Sequence, residues 1–203
     1  MQSAGAILDD VEAVARVCPT RIDRPVMYNR WNELAFVHWD FDPDVVQRQL
    51  PYGISVDTFD DRAWVGLIPF RMHVRFPGTP SVPWLGRFLE TNVRTYVIGP
   101  DGRRGVWFFS LDASRGAVSS VGRGLYGVPY RWSSMSLGVD GDEWVYRCHR
   151  RTFGAAAPSS TMRVRVGRPC TPDDLTEFDD WSTARWRLFG LVRGRLRTAA
   201  VEH

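Results

Sequence analysis

Apolar and polar positions alternate over long stretches of the chain, which is the pattern of strands that bury one face. The longest such stretch covers residues 63–76. In its second half, large apolar side chains alternate with basic ones: Phe70, Met72, Val74 and Phe76 with Arg71, His73 and Arg75. We therefore predict a long strand over residues 63–76 with one apolar and one basic face.

The same period predicts shorter strands at residues 34–41, 54–59, 88–98, 105–111, 128–137, 143–151 and 162–166. Turn residues at 100–102 (Pro-Asp-Gly) and 140–141 (Asp-Gly) join two pairs of these strands into predicted hairpins. Helical spacing and capping residues predict few helices. These are residues 3–17, a short helix that begins after Asp42, residues 114–126, and most of the tail from residue 172.

Many strands and few helices predict a mainly β (α+β) fold, either an antiparallel closed barrel or a double sheet, with a few peripheral helices. A length of 203 residues is enough for one core, and 44% hydrophobic with 13% aromatic residues is typical of a packed domain. We predict a single domain over residues 1–203, with an N-terminal helix at 1–18 and a helical tail at 172–203.

All 26 basic residues are arginine, and lysine does not occur in the chain. A Schiff base with a carbonyl substrate, or covalently anchored pyridoxal phosphate, requires a lysine amine. Arginine cannot replace it, because its guanidinium stays protonated and is a poor nucleophile. The composition therefore excludes lysine-dependent covalent chemistry by this chain.

The spacing of cysteine and histidine indicates neither disulfides nor a metal site. The three cysteines are an odd number without paired metal spacing, and His38, His73 and His149 fall on separate predicted strands. The first residues lack the pattern of a signal peptide, and no apolar run approaches the roughly 18 residues of a membrane span. We expect a cytoplasmic protein with no metal, no cofactor and no membrane partner.

The most informative polar residues lie on the predicted strand at 88–98. Glu90, Asn92, Arg94 and Tyr96 are each two residues apart, so a strand places all four on one face. Such a row, beside an apolar row, is either a surface that faces solvent or the wall of a polar pocket. The periodicity alone leaves both interpretations open.

A second informative segment, residues 122–131 (Gly-Arg-Gly-Leu-Tyr-Gly-Val-Pro-Tyr-Arg), follows the predicted helix of small residues. It resembles a segment of the acetoacetate decarboxylase family in which Gly-Arg, three residues, Gly, any residue and Pro precede two lysines. In that family the first lysine forms the Schiff base and the second lowers its pKa. Tyr130 and Arg131 stand at the two lysine positions, so the resemblance implies the fold without that mechanism.

A closer resemblance covers nearly the whole chain. It is carried by Trp31, His38-Trp39, residues 50–53 (Leu-Pro-Tyr-Gly), residues 63–66 (Ala-Trp-Val-Gly) with Pro69-Phe70, the row from Glu90 to Tyr96, residues 127–130, and residues 185–189. The chain is similar to the YqjF-like, or DUF2071, group, a lysine-lacking branch of the acetoacetate decarboxylase-like superfamily. This resemblance implies a β-barrel or double sheet around a pocket, with the Glu90 row facing inward, and it implies no particular activity.

We expect a small-molecule-binding protein whose ligand is acidic or rich in carbonyl groups. The predicted pocket wall consists of Glu90, Asn92, Arg94, Tyr96, Tyr130 and Arg131, with Trp84 on a loop over residues 78–86 that acts as a lid. A guanidinium group binds a carboxylate through two parallel hydrogen bonds, and aromatic walls strengthen that contact by excluding water.

Two alternatives come from other classes of protein. The first is a cofactor-free dehydratase, cyclase or isomerase of a keto acid, with Glu90 as general base, Tyr130 as general acid, and Arg94 or Arg131 stabilising an enolate. The second is a nucleic-acid or protein interaction module that uses the tail arginines, although acidic residues just before them favour local neutralisation. The expected partners are a small molecule and further copies of the chain, rather than nucleic acid.

Overall fold

The computed structural model describes residues 11–79, 86–116, 127–151 and 157–202. Over these residues the chain is mostly β, and a 12-stranded sheet curls into a half-barrel. The strands are β1 (Tyr28–Asn32), β2 (Val37–Phe41), β3 (Ser55–Val56), β4 (Thr58–Phe59), β5 (Arg62–Arg75), β6 (Arg87–Ile98), β7 (Arg104–Ala113), β8 (Tyr130–Asp140), β9 (Glu143–Arg150), β10 (Ser159–Arg165), β11 (Arg187–Val192) and β12 (Arg195–Ala200). The mainly β prediction is confirmed.

Helices are short in the described part of the chain. They are α1 (Pro43–Gln47) and α2 (Glu177–Thr183), with a 3-10 turn at Pro172–Asp174. The Asp42 carboxylate accepts a hydrogen bond from the Asp44 backbone at 2.8 Å and begins α1, as predicted. No helix among these residues is long and apolar enough to cross a membrane.

The sheet places β6 at its centre. Its main path runs β1-β5-β6-β7-β8-β9-β10, and β6 pairs antiparallel with β5 on one side and β7 on the other. The two predicted hairpins are confirmed, because β6 pairs with β7 across the turn at 99–103 and β8 pairs with β9 across the turn at 141–142. An interior strand has its backbone groups paired on both sides, so the exposure of its side chains depends on what packs against each face of the sheet.

Two strand pairs are parallel, which the antiparallel prediction did not include. β7 pairs in parallel with β8 at residues 111–113 and 130–132, and with β11 at residues 106–107 and 188–189. Parallel neighbours require a long crossover, because both strands run in the same direction. Residues 114–129 form the connection between β7 and β8, and the helix predicted at 114–126 lies mostly outside the described residues.

The prediction of a helical tail is wrong for most of its length. α2 is followed by a hairpin of β11 and β12, whose turn places Arg193 and Gly194 at φ values of 51° and 74°. Glycine tolerates positive φ without steric cost, and such turns fit the twist of a hairpin. Because Phe189 is buried where β11 pairs with β7, long-range packing outweighs the helical spacing of the tail.

The predicted N-terminal helix is also wrong over its described part, since residues 11–18 contain no helix. Residues 1–10 lie outside the described residues. The Glu12 carboxylate accepts from the Arg104 backbone N–H at 2.9 Å, and Trp186 Nε1 donates to the Ala15 carbonyl at 2.9 Å. These bonds to the sheet replace the internal hydrogen bonds that a helix would make.

Two predicted strands have different bounds in the structure. The strand predicted at 34–41 begins only at Val37, after Glu33 at a φ of 42°, and β1 precedes it as a separate strand. Exposed side chains on β1 give no apolar alternation, so the pattern did not indicate it. In the strand predicted at 54–59, Asp57 separates β3 from β4.

One face of the central strands forms the candidate site. We call it the Glu90 face, because Glu90, Asn92, Arg94 and Tyr96 of β6 share it. An apolar cluster occupies one end of this face: Ile68, Phe70 and Met72 of β5, Phe88 of β6 and Ala113 of β7. Apolar side chains therefore surround the polar row of β6 at this end.

Candidate functional site

The polar row of β6 is buried rather than facing solvent. Glu90, Asn92 and Tyr96 are 2%, 5% and 0% exposed, and Arg94 is half-buried. The sequence left a solvent face and a pocket wall open, and the burial of the row excludes the solvent face. The opposite face of β6 is equally buried at Thr91 and Thr95, which explains why periodicity could not decide the question.

Glu90 is a carboxyl group in apolar surroundings. Its neighbours across the sheet are Phe70 on β5 and Ala113 on β7, and the Tyr130 hydroxyl donates to Glu90 Oε2 at 3.1 Å. Burial raises the pKa of Glu90 to about 8, although the hydrogen bond from Tyr130 opposes this shift. The carboxyl is therefore mostly protonated at neutral pH and can donate a proton.

Asn92 lies two residues further along β6, between Ile68 of β5 and Leu111 of β7. Its Oδ1 atom is buried and has no hydrogen-bond partner within the described residues. Buried polar atoms are nearly always hydrogen-bonded in folded proteins, so an unpaired carbonyl oxygen calls for an explanation. It is a buried acceptor without a donor.

Arg94 is held by one of its terminal nitrogens. Nη2 donates to the Tyr96 hydroxyl at 3.3 Å and to the Ser182 carbonyl of α2 at 3.0 Å. Nε is buried without a partner, and no carboxylate in the described part of the chain forms a salt bridge with this guanidinium. Arg94 is thus an oriented cation without a counter-ion.

His38 belongs to this site, and sequence reasoning missed it. Its Nε2 atom lies 2.6 Å from the Tyr96 hydroxyl oxygen. Burial and then the charge of Arg94 lower the pKa of His38 to about 4, so the ring is neutral at pH 7 and Nε2 can accept from Tyr96. Gly66 is directly opposite His38, and a Cβ there would lie 3.1 Å from Nε2, so glycine leaves room for the ring.

Aromatic side chains from α2 cover the Tyr96 end of the site. Phe178 contacts His38 edge-on with ring centroids 5.2 Å apart, and it packs against Trp64 at 4.5 Å. Trp181 packs against Tyr96 at 4.5 Å. These rings exclude water from the hydroxyl and guanidinium groups and strengthen their electrostatic interactions.

A buried ion-pair network supports the same end of the site from behind. Asp57 accepts from Arg104 Nη1 and, at 2.6 Å, from Arg185 Nη1. The Arg185 guanidinium lies 4.8 Å from the centre of the Tyr96 ring. Burial lowers the pKa of Arg185 to about 10, while Asp57 opposes this shift, so Arg185 remains charged at neutral pH.

Two predicted pocket residues are not brought to this site. Arg131 follows Tyr130 on β8, so it points to the opposite face, where it is exposed opposite Asp112 of β7. The assignment of Arg131 to the pocket wall is therefore wrong, because neighbouring residues of a strand face opposite sides. Trp84 lies outside the described residues.

The tail arginines divide into two groups. Arg185 is buried against Asp57, and Arg187 donates to Glu12 at 3.0 Å. Those at 193, 195 and 197 are exposed on the hairpin of β11 and β12. The first two are therefore neutralised by acids that are distant in sequence, and not by the acidic residues just before the tail as predicted.

Other features of the described chain lie apart from the Glu90 face. A shallow groove of about 300 Å³ crosses β8, β9 and β10 and is lined partly by Ser136, Arg147 and Ser159. It is open, and no predicted site residue lines it. The described part of the chain contains no group of three His, Cys, Asp or Glu side chains that could hold a metal ion.

The sequence also matches a known family over most of its length. Residues 28–203 match DUF2071, described as an uncharacterized conserved protein. The chain belongs to the DUF2071 family. A similar protein is the uncharacterized protein YqjF of Bacillus subtilis, which is 30% identical over 179 residues, or 88% of this chain and 73% of YqjF.

Solved structures place this DUF2071 protein in the acetoacetate decarboxylase-like fold. An acetoacetate decarboxylase-like enzyme from Sphingomonas wittichii superposes with a TM-score of 0.59 at 16% identity, over 86% of this chain and 70% of that one. Acetoacetate decarboxylase from Legionella pneumophila gives 0.56 at 18% identity, over 85% and 63%. The enduracididine biosynthesis enzyme MppR in complex with pyruvate gives 0.53 at 14% identity, over 90% and 72%. At these identities the likeness shows the fold alone.

Proposed function

We propose that this protein binds a small carboxylic acid or another acidic, carbonyl-rich metabolite on the Glu90 face. The observation that carries the proposal is Arg94, an oriented and partly buried guanidinium without a carboxylate partner in the described chain. A buried cation without a counter-ion is costly, and an anionic ligand would compensate it. Because the chain contains no lysine, the ligand would not be bound through a Schiff base to a lysine side chain.

The protonation states of the neighbouring groups also favour an anion over a neutral ligand. Protonated Glu90 adds no negative charge to the row at neutral pH, and neutral His38 adds no second cation beside Arg94. The charge of the site is therefore set by Arg94. Pyruvate, which MppR binds in its solved complex, is a suitable first probe because it is a small carboxylate with a carbonyl group.

We expect Arg94→Met to weaken pyruvate binding by about 10- to 100-fold, the loss of one charge-assisted hydrogen-bonding group. Methionine keeps an unbranched, flexible side chain with much of the packing of the aliphatic part of arginine and removes the guanidinium. Binding is measured by NMR titration of the isotope-labelled protein, and native mass spectrometry of the purified protein tests for a retained acid. Arg197→Met, which changes an exposed arginine of the terminal hairpin, is the matched control. Equal affinities in both variants would contradict the proposal.

A second candidate function is favoured by the pairing of Glu90 with Tyr130. A carboxyl with a pKa near 8, hydrogen-bonded to a phenol in apolar surroundings, is close to the pH at which general acid–base catalysis is efficient. Such a pair could exchange a proton on the carbon next to a carbonyl group, as a cofactor-free isomerase or dehydratase of a keto acid requires. Glu90 would act as the base once ionised, with Arg94 stabilising the enolate.

Proton exchange on pyruvate tests this second candidate directly. In D₂O, the protein should accelerate exchange of the pyruvate methyl protons, with a rate that rises toward pH 8 as Glu90 ionises. Glu90→Gln should lower the rate by about 10²- to 10⁴-fold and leave pyruvate affinity nearly unchanged. Tyr130→Phe, which keeps the ring, should also lower it. A wild-type rate equal to that of buffer would exclude this activity and leave the binding proposal standing.

A further inference from the structure

We propose that the ligand of the Glu90 face is a carboxylic acid that also carries a hydrogen-bond donor, a hydroxyl or amino group, close to its carboxylate. The carboxylate binds Arg94 and the donor binds the Oδ1 atom of Asn92. This inference rests on the proposed binding function and narrows its ligand class. It depends on the unpaired atoms of two neighbouring side chains of β6.

The unpaired oxygen of Asn92 points to a donor rather than an acceptor on the ligand. Asn92 is 5% exposed between Ile68 and Leu111, and its Oδ1 atom has no partner in the described chain. Losing water without gaining a hydrogen bond destabilises the fold, and an aliphatic side chain between the same two neighbours would avoid that cost. A ligand that donates to Oδ1 removes the penalty, whereas a carbonyl oxygen facing Oδ1 would not.

Arg94 supplies the complementary half of the site. Its Nη2 atom is fixed by Tyr96 and Ser182, and its Nε atom is buried without a partner. The Tyr96 oxygen accepts from Arg94 and also lies 2.6 Å from His38 Nε2, so both neighbours fix its position. The guanidinium is therefore held before the ligand arrives, and the hydrogens that remain unpaired require an acceptor such as a carboxylate.

The spacing of the two groups limits the ligand to a short molecule. Residues two apart on a strand project from the same face about 6–7 Å apart along the strand. A carboxylate and a donor separated by two or three bonds can bridge such a pair through two hydrogen bonds.

Three acids with the same three-carbon skeleton and charge test the inference. Lactate carries a donor at C2, pyruvate carries an acceptor there, and propionate carries neither. By NMR titration, we expect one enantiomer of lactate to bind the wild-type protein about five- to tenfold more tightly than pyruvate or propionate, the ratio typical of one hydrogen bond. Both enantiomers are titrated, because Asn92 lies on one side of the bound carboxylate.

Asn92→Leu should remove the preference for lactate, so that lactate no longer binds more tightly than pyruvate or propionate, because the C2 group of each acid then faces hydrocarbon. The same variant should melt at a higher temperature than the wild type, because it no longer buries an unpaired oxygen. Asn29→Leu, at an exposed position of β1, is the matched control and should change neither the preference nor the binding. A melting temperature that does not rise in Asn92→Leu would contradict the assignment of an unpaired oxygen.

The outcomes separate this inference from the proposal on which it rests. Equal wild-type affinities for the three acids, or tighter binding of pyruvate, would overturn the donor assignment while leaving the binding of acids intact. No binding of any acid, or binding that Arg94→Met leaves unchanged, would overturn the proposed function and the inference together.

Discussion

Replacing Asp57 with asparagine is expected to lower the free energy of unfolding by about 3–5 kcal/mol. The Asp57 carboxylate is 3% exposed and is shared by Arg104 and Arg185. Asparagine keeps the size of the side chain but removes its charge, so the Arg185 guanidinium, whose side chain is 2% exposed, loses its counter-ion. Unfolding in urea with linear extrapolation to water measures the loss.

The control for Asp57→Asn is the same change at Asp40. Asp40 pairs with Arg62 at 2.8 Å, but both side chains are about half exposed. Ion pairs in water contribute little, so Asp40→Asn should cost less than about 1 kcal/mol. If Asp40→Asn and Asp57→Asn lowered the free energy of unfolding by similar amounts, burial of the Asp57 network would not determine its contribution to stability.

Stability should fall as the pH rises from about 6.5 to 8, and Glu90 should cause the fall. The ordinary pKa of a glutamate is near 4.5, while burial raises that of Glu90 to about 8 in the folded state. Between these values the native protein holds a proton that the unfolded chain has released. The free energy of unfolding therefore decreases as the pH rises, with the slope that a difference of one bound proton gives. Over the window from 6.5 to 8 this amounts to about 2 kcal/mol.

His38 sets the lower end of that window. Its pKa is lowered from 6.5 to about 4, so between these values the unfolded chain binds the proton and stability rises with pH. This contribution opposes that of Glu90 below pH 6.5 and is absent above it. The slope of Glu90 alone should therefore appear only on the alkaline side.

Glu90→Gln tests the assignment of this slope, because glutamine has a similar shape and does not titrate. Denaturation curves at several pH values should show that the slope between 6.5 and 8 is lost in this variant. Glu143→Gln, which changes a half-exposed glutamate paired with Arg163, should keep it. If wild type and Glu90→Gln gave parallel stability profiles, the Glu90 carboxyl would not hold its proton in the folded protein.

Local sequence signals predicted the elements that depend on neighbouring residues. Asp140-Gly141 places the turn of the β8–β9 hairpin, and Asp42 begins α1 through its own side chain. The alternation over β5 and β6 was sufficient for the strands themselves. The position of the Glu90 row on a strand therefore followed from sequence, because it needs only the period of two.

Features that depend on distant residues did not follow from the sequence. His38 and Tyr96 are 58 positions apart, and only the pairing of β2 with β5 brings His38 opposite Gly66 and close to Tyr96. The tail was predicted as a helix because its apolar spacing is also compatible with one. Its pairing with β7 is a contact between residues about 80 apart, which no local pattern encodes.

Arg131 illustrates a different kind of error. It was placed in the pocket because it stands next to Tyr130 at the position of a second lysine in a related family. Strand geometry alone argues against both residues facing one site, and the structure places Arg131 on the exposed side. Resemblance indicated the right segment, while the period of the strand decided which of its residues is inside.

The carbonyl of Ser182 that holds Arg94 comes from α2, and the strand that follows α2 pairs with β7. During synthesis, the ribosome must release residues 177–192 before either contact can form. Until then the Glu90 face would lack the aromatic side chains of α2. Its exposed apolar surface could bind chaperones or aggregate. If the Glu90 face binds an acid as proposed, a nascent chain should gain affinity for pyruvate in one late step, when these residues dock, rather than gradually.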